Sequence, residues 1–300
     1  MMPRHPSVIY AEPMMSPAAA ADPVRPVAVV TGASRGLGRG VARVLGEAGC
    51  VVYVTGRSSD AGPTTEGLPG TIERTAKEVD ERGGQGIAVR CNHADETQVR
   101  SLFETVGRDH GRIDILVNNA WGGYESHPGA EFTRPLWQQE HAANWGGMFD
   151  RGLKATFLSS RHAAPLLMSS RARSGPRLVV NTLAWAFDEY LGNLYYDVAK
   201  AAVIRLTAGL ARELAASDVA VVALAPGFVR TERVEKALAG DPATLATTES
   251  PEYAGRAVAM LAGDPGVMEK SGRLLTVGDL AREYHFADLD GRQPAAFRLA

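Results

Sequence analysis

The sequence predicts an α/β fold in which a doubly wound, seven-stranded parallel sheet is covered by helices on both faces. Three observations predict it. From Pro26 onward, short apolar runs alternate with amphipathic stretches in a regular β-α-β-α order. Most of the apolar runs are continuous rather than alternating, as expected of strands buried on both faces. The first run leads straight into a glycine-rich turn and then a helical pattern.

The strand candidates, in order, are Val27–Thr31, Val51–Thr55, Gly86–Cys91, Ile113–Asn118, Leu178–Thr182, Val219–Ala225 and Leu274–Val277. The helical stretches between them with the clearest periodicity are Leu37–Ala48, Ile72–Arg82, Glu96–His110 and Tyr196–Ala216. Two segments break the rhythm. Ser58–Gly70 is polar and rich in Gly and Pro, so it reads as a loop after the second strand. Gly122–Asn144 is irregular and follows the fourth strand, where α/β proteins place ligands. No internal repeat or linker divides the chain, so residues 26–300 are expected to form one domain. Residues 1–25, rich in Ala, Pro and Met, are expected to form a disordered tail rather than a secretory leader.

Composition excludes several function classes. The formal net charge is −2, which offers no electrostatic basis for binding nucleic acid or an anionic membrane. No apolar run approaches the length of about twenty residues that a membrane span requires. The two cysteines, Cys50 and Cys91, lie in or beside strand-like runs and read as small core residues. No histidines pair at metal-ligand spacing, so no metal is expected. A reducing, cytoplasmic location follows from this pattern.

Two motifs carry chemistry. In Thr31-Gly32-Ala33-Ser34-Arg35-Gly36-Leu37-Gly38, glycines let the backbone turn tightly and approach a pyrophosphate without an intervening Cβ. The following helix N-terminus offers unpaired N–H groups to phosphate. In Tyr196-Asp197-Val198-Ala199-Lys200, a phenol and an ammonium emerge one helical turn apart on the same face. A cation beside a phenol favours the phenolate, which would make Tyr196 an acid/base near neutral pH.

The spacing Gly32-x3-Gly36-x-Gly38 resembles the TGxxxGxG motif of the short-chain dehydrogenase/reductases. The resemblance continues in order through Asn118-Asn119-Ala120, Tyr196-x3-Lys200 and Pro226-Gly227-Phe228-Val229-Arg230-Thr231, and covers about residues 25–280. The C-terminal runs Ser271–Leu275 and Asp279–Tyr284, with the Asp290-Gly291-Arg292 tail, resemble a subgroup near dehydrogenase/reductase member 1. The resemblance implies a Rossmann-type fold, a nicotinamide cofactor and a small-molecule carbonyl or alcohol substrate. It also implies a homo-oligomer, by family habit. Catalysis falls to Tyr196 and Lys200. Cofactor contacts fall to Gly32, Ser34, Arg35, Gly36, Leu37, Gly38, Asn119, Ala120, Pro226, Gly227, Val229 and Thr231, together with Tyr196 and Lys200. Asn92 and His93 stand where the family has an aspartate that meets the adenine.

The second strand ends Tyr53-Val54-Thr55-Gly56-Arg57 with no acid to bind ribose hydroxyls. Arg57, with Arg35 as a second candidate, points to NADP(H) over NAD(H). Three departures from the family pattern stand out. Leu183 or Ala184 occupies the place of the family's substrate-binding serine, and neither can donate a hydrogen bond. Thr182 is the nearest hydroxyl. Gly152 stands where the family has a helix asparagine, and Trp121 replaces the glycine after Asn118-Asn119-Ala120. Trp121, Trp145, Trp185 and Tyr190 are candidates for an aromatic substrate pocket, while Tyr195 reads as packing or pocket wall. The expected function is an NADP(H)-dependent carbonyl reductase or alcohol dehydrogenase acting on a medium-sized apolar molecule. The alternative is an NADP(H)-binding sensor or scaffold with little turnover, because the serine is absent. A lyase or epimerase using the same Tyr/Lys pair is disfavoured by the glycine spacing and the lack of a separate C-terminal substrate domain.

Overall fold

The computed structural model describes residues 25–125, 132–169, 177–183, 190 and 192–296. Residues 1–24 of the expected N-terminal tail, Ala184 and Trp185 lie outside the described residues. The strands are β1 (Val27–Val30), β2 (Val51–Gly56), β3 (Gln85–Arg90), β4 (Ile115–Asn118), β5 (Arg177–Thr182), β6 (Val219–Ala225) and β7 (Leu274–Thr276). All pair in parallel, in the order β3-β2-β1-β4-β5-β6-β7. Strand order therefore reverses direction between β1 and β4. This is the switch point at which doubly wound sheets open a crevice beyond their C-terminal ends.

The helices are α1 (Gly36–Glu47), α2 (Ile72–Glu81), α3 (Glu96–His110), α4 (His141–Asn144), α5 (Ala155–Ser169), α6 (Leu194–Leu214), α7 (Glu232–Ala237), α8 (Pro242–Thr247), α9 (Pro251–Gly263) and α10 (Val277–Tyr284). A ten-residue π-helix, Trp145–Lys154, joins α4 to α5. All seven strands occur where the apolar runs predict them, with ends displaced by at most two residues. Val277, expected in the last strand, instead opens α10, because the Thr276 side chain caps that helix by accepting from Asp279 N–H. α5 was not anticipated, and Pro165 inside it interrupts its helical pattern.

The sheet separates two apolar layers. One holds Val30, Val52, Val54, Val117 and Val180 against α1, α9 and α10; the other holds Val29, Tyr53, Leu116 and Val179 against α3 and α5. Successive strand residues alternate between the layers, as the pleat requires. Cys50 and Cys91 are both buried, at a strand start and a strand end, in agreement with the core reading. Packing of α1 on α9 depends on missing side chains: a Cβ at Gly40 would lie 2.3 Å from the Pro251 carbonyl carbon. α1 carries the glycine turn, so this contact also fixes the floor of the crevice.

Gly40→Ala is expected to lower stability by about 1–3 kcal/mol through overpacking against that backbone. A thermal melt that leaves Tm unchanged would show that α9 can yield at no cost.

Candidate active site

The crevice is a cavity of about 510 Å³ at the C-terminal ends of β1, β2, β4, β5 and β6. It is lined by every sequence-predicted site residue except Gly38. Gly38 acts from beneath: a Cβ there would lie 2.5 Å from both the Gly32 carbonyl oxygen and Asn119 Nδ2. Gly32 and Gly36 both have left-handed backbone (φ +66° and +53°), which glycine adopts without strain.

The turn is held by the end of β4. Thr31 Oγ1 accepts from Asn119 N–H at 2.8 Å and Ala120 N–H at 2.9 Å. Asn119 Nδ2 donates to the Thr31 and Gly32 carbonyls, each at 3.0 Å. The Asn119 side chain is thus occupied in shaping the turn. At the α1 N-terminus, Gly36 N–H donates to Glu232 Oε2 at 2.8 Å. A carboxylate therefore already meets the donor that a phosphate would use, and the local chemistry fits an anion.

The two arginines have different surroundings. Arg35 donates from Nε to the Pro69 carbonyl at 3.0 Å, and from Nη2 to Ser58 Oγ at 2.9 Å and the Leu68 carbonyl at 3.1 Å. It anchors the Ser58–Gly70 loop. Arg57 pairs with Glu125, which also lies 3.4 Å from Arg151. Among the described residues, five cationic side chains line the cavity (Arg35, Arg57, Arg151, Lys200 and Arg233) against the carboxylates of Glu66, Glu125 and Glu232. Asn92 and His93 also line it. Both His93 ring nitrogens are engaged, Nε2 with Thr55 Oγ1 at 2.8 Å and Nδ1 with Ser159 Oγ at 3.1 Å. Burial pushes this imidazole down to about 4, so it is a neutral structural link between β2 and α5.

α6 starts with an Asn193 cap, whose side chain accepts from Tyr196 N–H at 3.0 Å. This cap places Tyr196 and Lys200 in the crevice. The expected depression of the Tyr196 pKa is not what the structure gives. Burial first, and the neighbouring Tyr124 second, hold the phenol well above its usual value. Lys200 is pushed down to about 7 by loss of hydration. Its ammonium sits 3.7 Å from the centre of the Trp121 ring and 5.6 Å from that of Tyr196. The contact with the Trp121 face favours the charged amine and opposes the effect of burial.

Two departures from the family pattern prove to be one adjustment. A Cβ at Gly152 would lie 2.4 Å from the Trp121 ring. The indole that replaces a glycine after Asn118-Asn119-Ala120 occupies the space an asparagine at 152 would need. The missing serine is not replaced by Thr182, whose hydroxyl donates to the Asn118 carbonyl at 3.2 Å. Leu183 is buried against Val203, Ala223 and Ala225.

Sequence reasoning placed Tyr124 in an irregular segment but gave it no role. Its hydroxyl donates to Tyr196 Oη at 3.1 Å. Of the aromatic pocket candidates, Trp121 lines the cavity, while Trp145 is half-exposed and stacks on Phe149 at 4.3 Å. Tyr190 is exposed and Tyr195 bonds His141 at 2.8 Å; neither lines the cavity.

A parallel sheet that opens at β1 and β4 onto a glycine turn and a helix N-terminus belongs to the dinucleotide-binding class. The chain belongs to the short-chain dehydrogenase/reductase family: residues 26–241 match the family model described as short chain dehydrogenase. The mouse protein Dehydrogenase/reductase SDR family member 1 is 37% identical over 278 residues, covering 89% of this chain and 84% of that protein. A 3-oxoacyl-acyl-carrier-protein reductase from Brucella melitensis in complex with NAD superposes with a TM-score of 0.68 at 25% identity, over 84% of this chain and 95% of that one. A short chain dehydrogenase from Mycobacterium thermoresistibile shares the fold with a TM-score of 0.74 at 24% identity, over 91% and 94%.

The Pro226-Gly227 loop has its own titrating anchor. Glu249 is buried and accepts from Gly227 N–H at 2.9 Å. Burial raises its carboxyl to about 7; the Gly227 bond opposes this and Asp288 adds to it. The Tyr253 phenol, raised first by its own burial, is raised further by this carboxyl. A carboxyl raised on folding stabilises fully below its unfolded value, and that contribution is lost as pH rises through the folded one. Between about pH 5 and pH 8 the wild type should therefore lose stability relative to Glu249→Gln, by up to roughly 3 kcal/mol. Parallel Tm-against-pH curves for the two proteins would refute the assignment.

Proposed function

We propose that this protein is an NADP(H)-dependent oxidoreductase that interconverts a carbonyl and an alcohol on a medium-sized apolar molecule, with Tyr196 as its acid/base. The observation that carries the reading is that Tyr196 and Lys200 share one cavity with the glycine turn and the Pro226-Gly227 loop. Family membership supports nicotinamide-linked oxidoreduction. The choice of NADP(H) rests on Arg57 at the end of β2, where no acid stands, and on the cationic excess of the cavity lining.

Gly36 and Leu37, at the N-terminus of α1, would hold the pyrophosphate. Arg57 would hold the 2′-phosphate, exchanging Glu125 for it. Asn92 would face the adenine, and Asn119 and Ala120 the adenosine ribose. Val229 and Thr231 would meet the carboxamide, and Lys200 the nicotinamide ribose. When bound, the cofactor supplies or accepts the hydride; the protein supplies orientation and charge. Tyr196, kept protonated by burial, is suited to give a proton to the carbonyl oxygen in the reductive direction. Trp121 and Tyr124 offer apolar walls to the substrate. The alternative of a cofactor-binding protein with little turnover is motivated by the missing serine. Binding of NADPH with no net consumption across a broad panel of aldehydes and ketones would favour it.

Tyr196→Phe is expected to lower kcat by about a hundredfold or more while NADPH affinity is retained. An active Tyr196→Phe would remove Tyr196 from the mechanism. The cofactor choice is checked separately: kcat/KM should be higher with NADPH than with NADH, and Arg57→Ala should narrow the gap by about tenfold, the worth of one charge-assisted contact. A wild-type preference for NADH would overturn the choice of NADP(H).

A further inference from the structure

Two phenols, rather than one, meet at the point where the reductase reading needs the substrate oxygen. Tyr124 and Tyr196 both line the cavity, with their oxygens 3.1 Å apart. The Tyr124 ring is held by three neighbours. Its centroid lies 6.0 Å from Tyr196, 6.3 Å from Trp121 and 6.0 Å from Phe132. The Arg233 guanidinium lies 5.6 Å from the centre of the same ring.

Of the other hydroxyls that line the cavity, Ser34 belongs to the glycine turn and Ser58 donates to Thr65 Oγ1 at 3.2 Å. Thr182 donates to the Asn118 carbonyl. Ser58 accepts from Arg35, and the Thr231 hydroxyl caps α7. Leu183, which stands near the family's serine position, brings no donor. Tyr124 is the hydroxyl hydrogen-bonded to Tyr196 among the described residues.

We propose that Tyr124 is a second catalytic phenol, which donates a hydrogen bond to the substrate carbonyl oxygen beside Tyr196 and takes over the work of the missing serine. The inference rests on the reductase reading. Two hydroxyl oxygens 3.1 Å apart can both reach a third oxygen at about 2.7 Å, the normal O–H···O distance. A carbonyl oxygen has two lone pairs, so each phenol can take one. In the reductive direction a C–H bond forms at the carbonyl carbon from the hydride of the reduced nicotinamide dinucleotide, and the C=O π pair moves to oxygen. The Tyr196 O–H bond breaks, a new O–H bond forms on the substrate, and Tyr196 recovers its proton from water. Tyr124 keeps its proton throughout and stabilises the charge that builds on oxygen before that transfer is complete. Burial holds the Tyr124 phenol above its usual value, which keeps it protonated, and the Arg233 cation beside its ring partly opposes that shift.

Tyr124→Phe tests the proposal, because it deletes one oxygen and keeps the ring. With NADPH and a panel that includes benzaldehyde and acetophenone, kcat should fall about a hundredfold, as for loss of one oxyanion donor. NADPH affinity, read from nicotinamide fluorescence, and Tm should stay at wild-type values. Tyr124→Phe/Tyr196→Phe should be little worse than Tyr196→Phe alone, since both groups serve one oxygen. A Tyr124→Phe kcat within about threefold of wild type would overturn the proposal and leave the reductase reading standing. So would a loss of NADPH affinity or Tm that accounts for the lower rate, since Tyr124 would then be a packing residue. Full activity in Tyr196→Phe, or no turnover by wild type on the whole panel, would instead bring down the reductase reading and this proposal with it.

Discussion

The Thr31 hydroxyl is the small contact on which the site depends. It sits at the end of β1, buried, and accepts two backbone N–H groups from the end of β4. Thr31 N–H in turn donates to the Val117 carbonyl at 2.9 Å. These bonds join the two strands at the point where the sheet changes direction and crossover helices no longer cover the crevice. Asn119 adds its amide to the Thr31 and Gly32 carbonyls, so the left-handed glycine turn is shaped from both sides. The turn then aims the α1 N-terminus into the cavity.

A second constraint is one of volume. Trp121 follows the same β4 end, and its ring covers Gly152 in the π-helix. π-helical turns often mark functional sites, and here the widened helix presents its bare backbone to an indole. The other consequence is electrostatic. The Lys200 ammonium lies over the Trp121 ring, which can hold a cation without a carboxylate. A carboxylate near Lys200 would raise its pKa and also repel a phenolate at Tyr196. An aromatic face holds the amine without adding negative charge beside the phenol.

Much of the fold was legible because buried parallel strands read as continuous apolar runs, and every such run became a strand. The glycine turn and the Tyr196–Lys200 offset were legible because each is local: one turn of chain contains all its information. The parts that were not legible join distant segments. Tyr124 and Tyr196 are 72 residues apart, and nothing in the Gly122–Asn144 segment distinguishes Tyr124 from a packing aromatic. Trp121 reads singly as a pocket aromatic and Gly152 as a lost asparagine, and only their packing shows that the two belong together. The direction of the Tyr196 shift was also misread. The i, i+4 spacing gives proximity to a cation, but burial, which sequence does not report, outweighs it. The part Arg35 plays in holding the Ser58–Gly70 loop was illegible because its neighbours in space, the carbonyls of Pro69 and Leu68, lie more than thirty residues away.

The carboxylates of the cavity add a further step to the argument. Glu232 occupies the Gly36 N–H, and Glu125 occupies Arg57. Each stands at a group that the proposed function assigns to a phosphate. Both donors are therefore paired before a dinucleotide arrives, and neither carries the penalty of an unpaired polar group in a half-buried cleft. On the proposed function, binding would exchange one anion for another rather than create a new contact. The net gain per site is then the difference between phosphate and carboxylate, smaller than the full worth of a charge-assisted bond. Glu232 keeps a second partner through the exchange, since Arg39 lies 3.3 Å from its other oxygen. Glu125 likewise keeps Arg151 at 3.4 Å. Each carboxylate, if displaced, would thus have a cation to retain it, and that pairing would let a cleft whose described lining includes three acids still accept the proposed cofactor.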